Sequence, residues 1–183
     1  MTTKILQINS SARRVDLIGE GFDIAVRMGE LAQDSTLAAR LMARMSIGLY
    51  ASPAYLLRMG EPQLPSALTD MHGLLILNRS GDPMPWELSC GEETWRGAPA
   101  QRTLVNAPDM LLRMACAGVG IAAAGEHFAD QAVKRGELVR VLPEWTQAPT
   151  ACWAVFPERR LMPARSRVFI EAMAKVLSQC EKA

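Results

Sequence analysis

The sequence predicts an α/β fold built from two small sheets with helices packed against them. Short apolar runs with a period of two alternate with segments that carry one apolar helical stripe, and glycine and proline mark the joints between them. The chain has 183 residues, of which 49% are hydrophobic and 21% are charged. This composition provides enough apolar side chains for a core, and it excludes wholesale disorder.

For the first third of the chain, the sequence predicts mainly strands, together with one helical turn and one short helix. Apolar and polar residues alternate over Phe22–Met28, and Gly29 ends this strand. Pro53 is suited to a first helical position, so a helix is expected over Pro53–Met59. The other elements predicted here are a strand Thr3–Asn9, a helical turn Arg13–Glu20 and a strand Arg44–Ala51.

The middle of the chain predicts short elements between Pro- and Gly-rich loops. Two strands, Trp86–Ser89 and Thr94–Arg96, are expected to form a hairpin around Cys90 and Gly91. The other elements predicted here are a short helix Ser66–Met71, an apolar run Leu74–Leu77 and a strand Arg102–Val105.

The second half of the chain predicts three helices alternating with strands. Pro108 and Asp109 suit the first turn of a helix that Gly118 ends. From Pro163 onward, apolar residues fall on one helical stripe. The other elements predicted here are strands Val119–Ala123, Leu138–Leu142 and Ala151–Phe156 and a helix Glu126–Arg135.

Charge and cysteine usage restrict the class of protein. Lys and Arg total 20 and Asp and Glu total 19, so the net charge of +1 excludes a dedicated nucleic-acid binder. The cysteines are scattered without a CxxC pair, and His72 and His127 lack metal-ligand spacing. We therefore expect no metal, no cofactor and a reducing, cytoplasmic location. The N-terminus has no signal-peptide pattern, and no uncharged stretch is long enough to span a membrane.

No constellation of residues predicts catalysis, so we expect a protein that is not an enzyme. The segment Gly118–Ala123 matches G-x-G-x-x-A, but a helix precedes it and a strand follows, the reverse of a dinucleotide site. Glu92 and Glu93 are neighbours on a hairpin and point to opposite sides. The helix N-termini near Arg13, Pro108 and Glu126 could instead hold a small anion. The architecture favours a two-lobed receptor for a small organic ligand.

Several segments together resemble one family. Arg14–Leu17 and Glu20–Gly29 resemble the RRVDL…EGFDLAIRxG segment of LysR-type transcriptional regulators. Further matches follow in the family's order at Ala51–Leu56, Pro65–Leu68, Ala117–Ala122, Gly136–Pro143, Val155–Pro157 and Arg165–Phe169. The resemblance is to the effector-binding domain, whose fold is like that of type II periplasmic binding proteins.

The resemblance implies two lobes with a ligand cleft between them. Lobe I would comprise residues 1–51 and 150–183, and lobe II residues 52–149. A small anionic organic effector would bind in the cleft, with Arg27 as its counter-charge. The implied ligand-binding residues are Arg27, Met28, Ala51, Ser52, Asn106, Pro108, Asp109, Gly120 and Ile121. The family also implies a homodimer through antiparallel contact of lobe I with lobe II, and DNA binding only through a winged helix-turn-helix that is not present in this chain.

The chain also departs from the family pattern. By this resemblance, we expect lobe I to lack the strand and helix that would precede Thr3–Asn9. Their loss would leave a gap, a direct pairing of the flanking strands, or an unpaired strand edge. Ala124 and Gly125 replace a bulkier pair common in the family, at the wall of the cleft. The alternatives are a free-standing solute-binding protein, a degenerate regulator fragment that acts only as a dimerisation module, and a small enzyme.

Overall fold

Two long strands run side by side through the middle of the molecule. In the computed structural model, which describes residues 6–10, 15–31, 36–78, 80–158 and 162–178, they pair antiparallel from Leu37 opposite Pro157 to Ile47 opposite Gln147. The strands are β1 (Ala25–Met28), β2 (Leu37–Ala51), β3 (His72–Ile76), β4 (Trp86–Cys90), β5 (Glu93–Gly97), β6 (Gln101–Val105), β7 (Ile121–Gly125), β8 (Val139–Val141) and β9 (Thr146–Pro157). The helices are α1 (Pro53–Met59), α2 (Pro108–Cys116), α3 (Glu126–Lys134) and α4 (Ala164–Ser178), with a short 3₁₀ helix over Pro65–Asp70.

Hydrogen bonds join the described strands into one sheet. Its order is β5-β4-β9-β2-β7-β3-β6, while β1 pairs with β9 and β8 pairs with β2. The expectation of two separate small sheets is therefore wrong. The two halves are continuous because β2 and β9 are each long enough to take part in both.

Three buried clusters show where the two halves meet. The first lies under α4 and contains Met42, Ala43, Met45, Cys152, Ala154, Ile170 and Leu177. The second lies under α2 and α3 and contains Tyr50, Leu74, Leu111, Ala115, Ala122, Ala129, Ala132 and Leu138. The third lies on the opposite face and contains Leu49, Ala51, Tyr55, Leu68, Met71, Leu75, Trp86, Leu88, Ile121, Val141 and Leu142. β2 passes from the first cluster to the other two between Met45 and Leu49.

Local capping explains the elements that the sequence predicts well. α1 has the predicted bounds because the Ser52 hydroxyl accepts a hydrogen bond from the Tyr55 N–H at 3.2 Å and Gly60 ends the helix. Gly118, with a φ of 76°, follows α2, and β7 comes after it. This order confirms that the G-x-G-x-x-A segment is a helix end. The predicted hairpin is β4–β5, and Gly91 has a φ of 58° in its turn.

The N-terminal region departs from the predicted elements. The predicted strand Thr3–Asn9 is described only over Leu6–Asn9, which forms no strand. The predicted helical turn is described only from Val15, and it is a turn because the Asp16 carboxylate accepts the N–H groups of Ile18 and Gly19. Within the described residues β1 pairs with β9. Part of the segment that would pair with its other edge lies outside the described residues.

None of the described helices is both long enough and apolar enough to cross a membrane.

Candidate functional site

The carboxyl ends of three parallel strands form one edge of the sheet. β3 pairs with β6 from His72 opposite Gln101 to Ile76 opposite Val105, and β7 pairs with β3 in the same direction. We call this the carboxyl edge. α2 and α3 begin within three residues of it, so their unpaired N-terminal N–H groups lie there.

The end of β1 is fixed to the crossing strand β9. Met28 lies opposite Cys152, and the Gly29 N–H donates to the Ala151 carbonyl at 2.8 Å. The Trp153 indole N–H donates to the Gly29 carbonyl at 3.0 Å. Both hydrogen bonds hold the end of β1 at the point where β9 enters the smaller half of the sheet.

β1 and β7 end at nearby levels of the crossing pair β9–β2 but on opposite sides of it, because β1 pairs with β9 and β7 pairs with β2. Ala151, which holds the end of β1, pairs with Arg44, while Gly125 at the end of β7 pairs with Ile47. Arg44 and Ile47 are three residues apart, about 10 Å along an extended strand. Because β1 is antiparallel to β9 and β7 is antiparallel to β2, the two strands run in opposite directions toward this level of the crossing pair. We call the region around this level the shared space.

Arg27 lies in the smaller half of the sheet, opposite Trp153. Its Nη2 donates to the Val15 carbonyl at 3.5 Å. It also lines a cavity of about 320 Å³ together with Val15, Asp16, Leu17, Ile18, Thr36 and Leu37. The Arg27 side chain is therefore half-buried beside this cavity, which the Asp16 carboxylate also lines.

The predicted corner after β6 lies at the carboxyl edge. Asn106, Pro108 and Asp109 are exposed there. Pro108 begins α2, whose N-cap Ala107 offers no side-chain hydrogen bond. The Asp109 carboxylate pairs with Arg113 at 3.0 Å. The Asn106 amide and the first N–H groups of α2 are thus the groups best placed to donate to a ligand.

A polar cluster lies at the start of α3. The Glu126 carboxylate forms a short ion pair with Arg140 of β8, and Arg140 lies opposite Tyr50 of β2. Burial raises the pKa of the Tyr50 hydroxyl, and the charge of Arg140 opposes this shift. Burial alone would lower the pKa of Arg140, but hydrogen bonds and charge from Glu126 and Tyr50 raise it overall. Arg140 therefore stays charged.

Four predicted site residues lie at the other end of the strands. Ala51, Ser52, Gly120 and Ile121 are buried where β2 ends and β7 begins. Ser52 caps α1, and a Cβ at Gly120 would overlap the His72 carbonyl. The length of β7 separates them from the carboxyl edge by about 13 Å. The structure does not bring these four together with Asn106, Pro108 and Asp109. Ala51 and Ile121 instead belong to a buried cluster.

Sequence reasoning missed four side chains near the shared space. Trp153, Glu126 and Arg140 form the contacts described above. Gln147 lies opposite Ile47, and its buried Nε2 has no hydrogen-bond partner among the described residues. The sequence signal that could have identified Arg140 is its charge within the short predicted strand Leu138–Leu142. Its pairing with Glu126 could not be predicted in the same way, because the two residues are 14 positions apart in the sequence.

Within the described ranges, no group of three or more His, Cys, Asp or Glu side chains is arranged to hold a metal ion.

Comparison with known proteins identifies a family model. The model described as "LysR substrate binding domain" matches residues 5–178. An uncharacterized HTH-type transcriptional regulator of Haemophilus influenzae is 33% identical over 160 residues, which is 87% of this chain and 55% of that protein. The HTH-type transcriptional repressor PA14_22550 of Pseudomonas aeruginosa is 30% identical over 175 residues, 95% of this chain and 55% of that protein. The chain spans about half the length of these curated relatives.

A solved structure has the same fold. The regulatory domain of AphB from Vibrio vulnificus superimposes with a TM-score of 0.70 at 25% sequence identity, covering 94% of this chain and 83% of that one.

Proposed function

The chain belongs to the LysR substrate-binding domain family, and from this premise we propose that it binds a small anionic organic molecule between the end of β1 and the carboxyl edge. The observation that supports this most is that β1 and β7 run in opposite directions toward one level of the crossing pair. Ala151, which holds the end of β1, lies opposite Arg44, and the end of β7 lies opposite Ile47, three residues further along β2. Open α/β sheets bind ligands at the carboxyl ends of their strands.

Charged and polar groups on both halves of the sheet suit an anion. Arg27 provides a half-buried guanidinium from the smaller half of the sheet. Asn106 and the N-terminal N–H groups of α2 and α3 add donors from the larger half. Met28, which is 43% exposed, offers an apolar surface beside them. The proposed ligand is therefore an organic acid with an apolar part.

The rest of the proposal follows from the family. Lobe I would comprise residues 1–51 and 150–183 and lobe II residues 52–149, with the ligand changing the angle between them. The domain would act without catalysis, as a homodimer, in the cytoplasm. Regulation of transcription is proposed because both curated relatives are named as HTH-type regulators.

A thermal-shift experiment tests the binding proposal. Benzoate and D-gluconate are compared with their neutral counterparts benzyl alcohol and D-glucose. At least one anion should raise the melting temperature by mass action, and its neutral counterpart should not. Arg27→Gln should remove the rise. The control Arg96→Gln, which breaks an exposed pair with Glu87, should keep it. No rise with either anion, or an equal rise in Arg27→Gln, would contradict the proposal.

A further inference from the structure

The Arg140 side chain occupies the space beside Gly48 of β2, where any other residue would have a side chain. A Cβ at Gly48 would lie 2.6 Å from the Arg140 Cζ and 2.7 Å from its Nε. Gly48 and Tyr50 are two residues apart on the same strand, so they face the same side of the sheet. The guanidinium therefore lies over Gly48, with the Tyr50 ring centroid 5.8 Å from its Cζ.

The guanidinium depends on few partners. Its Nη1 donates a hydrogen bond to Glu126, and the guanidinium lies over the Tyr50 ring. Its Nε is buried and has no partner among the described residues. Because a buried donor without a partner is unfavourable, this position is maintained only by the strength of the two other contacts.

Those contacts link the crossing strand to the start of α3. Glu126 is the first residue of α3, and the preceding Gly125 has no side chain that could cap the helix. Gly125 pairs with Ile47, so the same corner adjoins β2 through the backbone. The ion pair between Glu126 and Arg140 thus connects the first turn of α3 to β8 and to the adjoining strand β2.

We propose that Arg140 is a positioning residue for the ligand cleft: it holds the corner between β7 and α3 in place through Glu126. The importance of this corner for ligand binding rests on the function proposed above. The anchoring itself does not depend on it. Residues that pack against or bind the ligand-contacting residues determine the geometry of a binding site without contacting the ligand themselves.

Amide hydrogen exchange of the ligand-free domain tests the anchoring. The first hydrogen bonds within α3 are donated by the N–H groups of Ala129 and Asp130. Glu126→Gln removes the charge but keeps the shape, and Arg140→Met removes the guanidinium. Both variants should speed exchange at these two amides by about tenfold or more. Exchange of Leu75, in the buried centre of β3, should stay within about twofold of wild type.

Two further variants separate local anchoring from general loss of stability. Lys134→Gln breaks an exposed ion pair on the same helix, in which Lys134 Nζ lies 2.7 Å from the Asp130 carboxylate. This variant should leave exchange at Ala129 unchanged. Arg140→Lys keeps a cation for Glu126 and should restore most of the protection. Unchanged exchange at Ala129 in Glu126→Gln, or an equal acceleration at Leu75, would overturn the inference.

Binding of benzoate and D-gluconate to the same variants separates this inference from the proposed function. If either anion binds the wild type, its Kd should rise in Glu126→Gln while remaining unchanged in Lys134→Gln. An unchanged Kd in Glu126→Gln would show that the corner does not shape the cleft. If neither anion binds the wild type, the proposed function fails, while the exchange data still decide whether Arg140 anchors α3.

Discussion

The indole N–H of Trp153 donates a hydrogen bond of 3.0 Å to the carbonyl of Gly29, 124 residues earlier in the chain. Gly29 has a φ of 84°, and its own N–H binds the Ala151 carbonyl. The end of β1 is therefore attached to β9 by one side-chain and one backbone hydrogen bond. This attachment brings Arg27 and Met28 to the crossing strands, where the larger half of the sheet begins.

Loss of the Trp153 indole N–H should destabilise the domain. Trp153→Phe removes the donor to the Gly29 carbonyl and should lower the free energy of unfolding by about 1 kcal/mol, plus the effect of the smaller ring. Urea denaturation measures the change. The matched control is Trp95→Phe on the β4–β5 hairpin, which removes an indole for which no hydrogen bond is described. An equal loss in the two variants would show that the Gly29 bond is not stabilising.

A side chain at Gly48 should displace Arg140. Gly48→Ala places a methyl group where the guanidinium lies, so the Arg140 side chain must move away from Glu126, and the free energy of unfolding should fall by about 1 kcal/mol. Ser46→Ala, at an exposed position of the same strand, should change it by less than about 0.5 kcal/mol. A neutral or stabilising Gly48→Ala would contradict the observed packing.

Ser52 should affect stability and not ligand affinity. Ser52→Ala removes the N-cap hydrogen bond to Tyr55 and should lower the free energy of unfolding by about 1 kcal/mol. The Kd for the anion found by thermal shift should stay the same, because Ser52 is buried at the opposite end of the strands. Calorimetric titration measures this Kd. A large rise in Kd without loss of stability would return Ser52 to the binding site.

Cys152 should make stability fall at alkaline pH. Burial raises the pKa of its thiol above the ordinary value of 9.0. The unfolded chain therefore loses this proton at a lower pH than the folded chain does. The stabilisation is fully present below the unfolded pKa and is lost as pH rises toward the folded pKa.

Urea denaturation between pH 8 and pH 10 measures this dependence. The free energy of unfolding should fall more steeply with pH in wild type than in Cys152→Ala. Cys90→Ala, which removes a half-buried thiol on the hairpin, is the control and should follow the wild type. Parallel curves for wild type and Cys152→Ala would contradict the assigned role of burial.

Local sequence signals predict the elements that depend on local contacts. Ser52, Pro53 and Gly60 define α1, and Gly91 defines the turn of the hairpin. The first half of β2 was not predicted, because the segment Leu37–Met45 is rich in Ala, Leu, Arg and Met, which favour helix. Pairing with β9 makes it a strand, so tertiary contacts override the local preference.

The candidate site was only partly predictable for a related reason. Asn106 and Arg27 follow from their places at strand ends. The pairing of Arg140 with Tyr50 depends on the register of β8 against β2, which no local pattern encodes. Gly120 was assigned to the ligand by resemblance, whereas the structure explains it by its close approach to the His72 backbone. Residues packed against backbone and residues facing a ligand can look alike in a single sequence.

Amide chemical shifts recorded during a ligand titration test whether a ligand contacts both halves of the sheet at once. The anion that gives the largest rise in melting temperature is added to ¹⁵N-labelled domain. If the ligand binds between the two sets of strand ends, the largest chemical-shift changes should occur together at Met28 and Gly29 in one half and at Asn106 and Glu126 in the other. Changes confined to one half of the sheet, or centred on Ser52 and Gly120, would contradict binding between the two sets of strand ends.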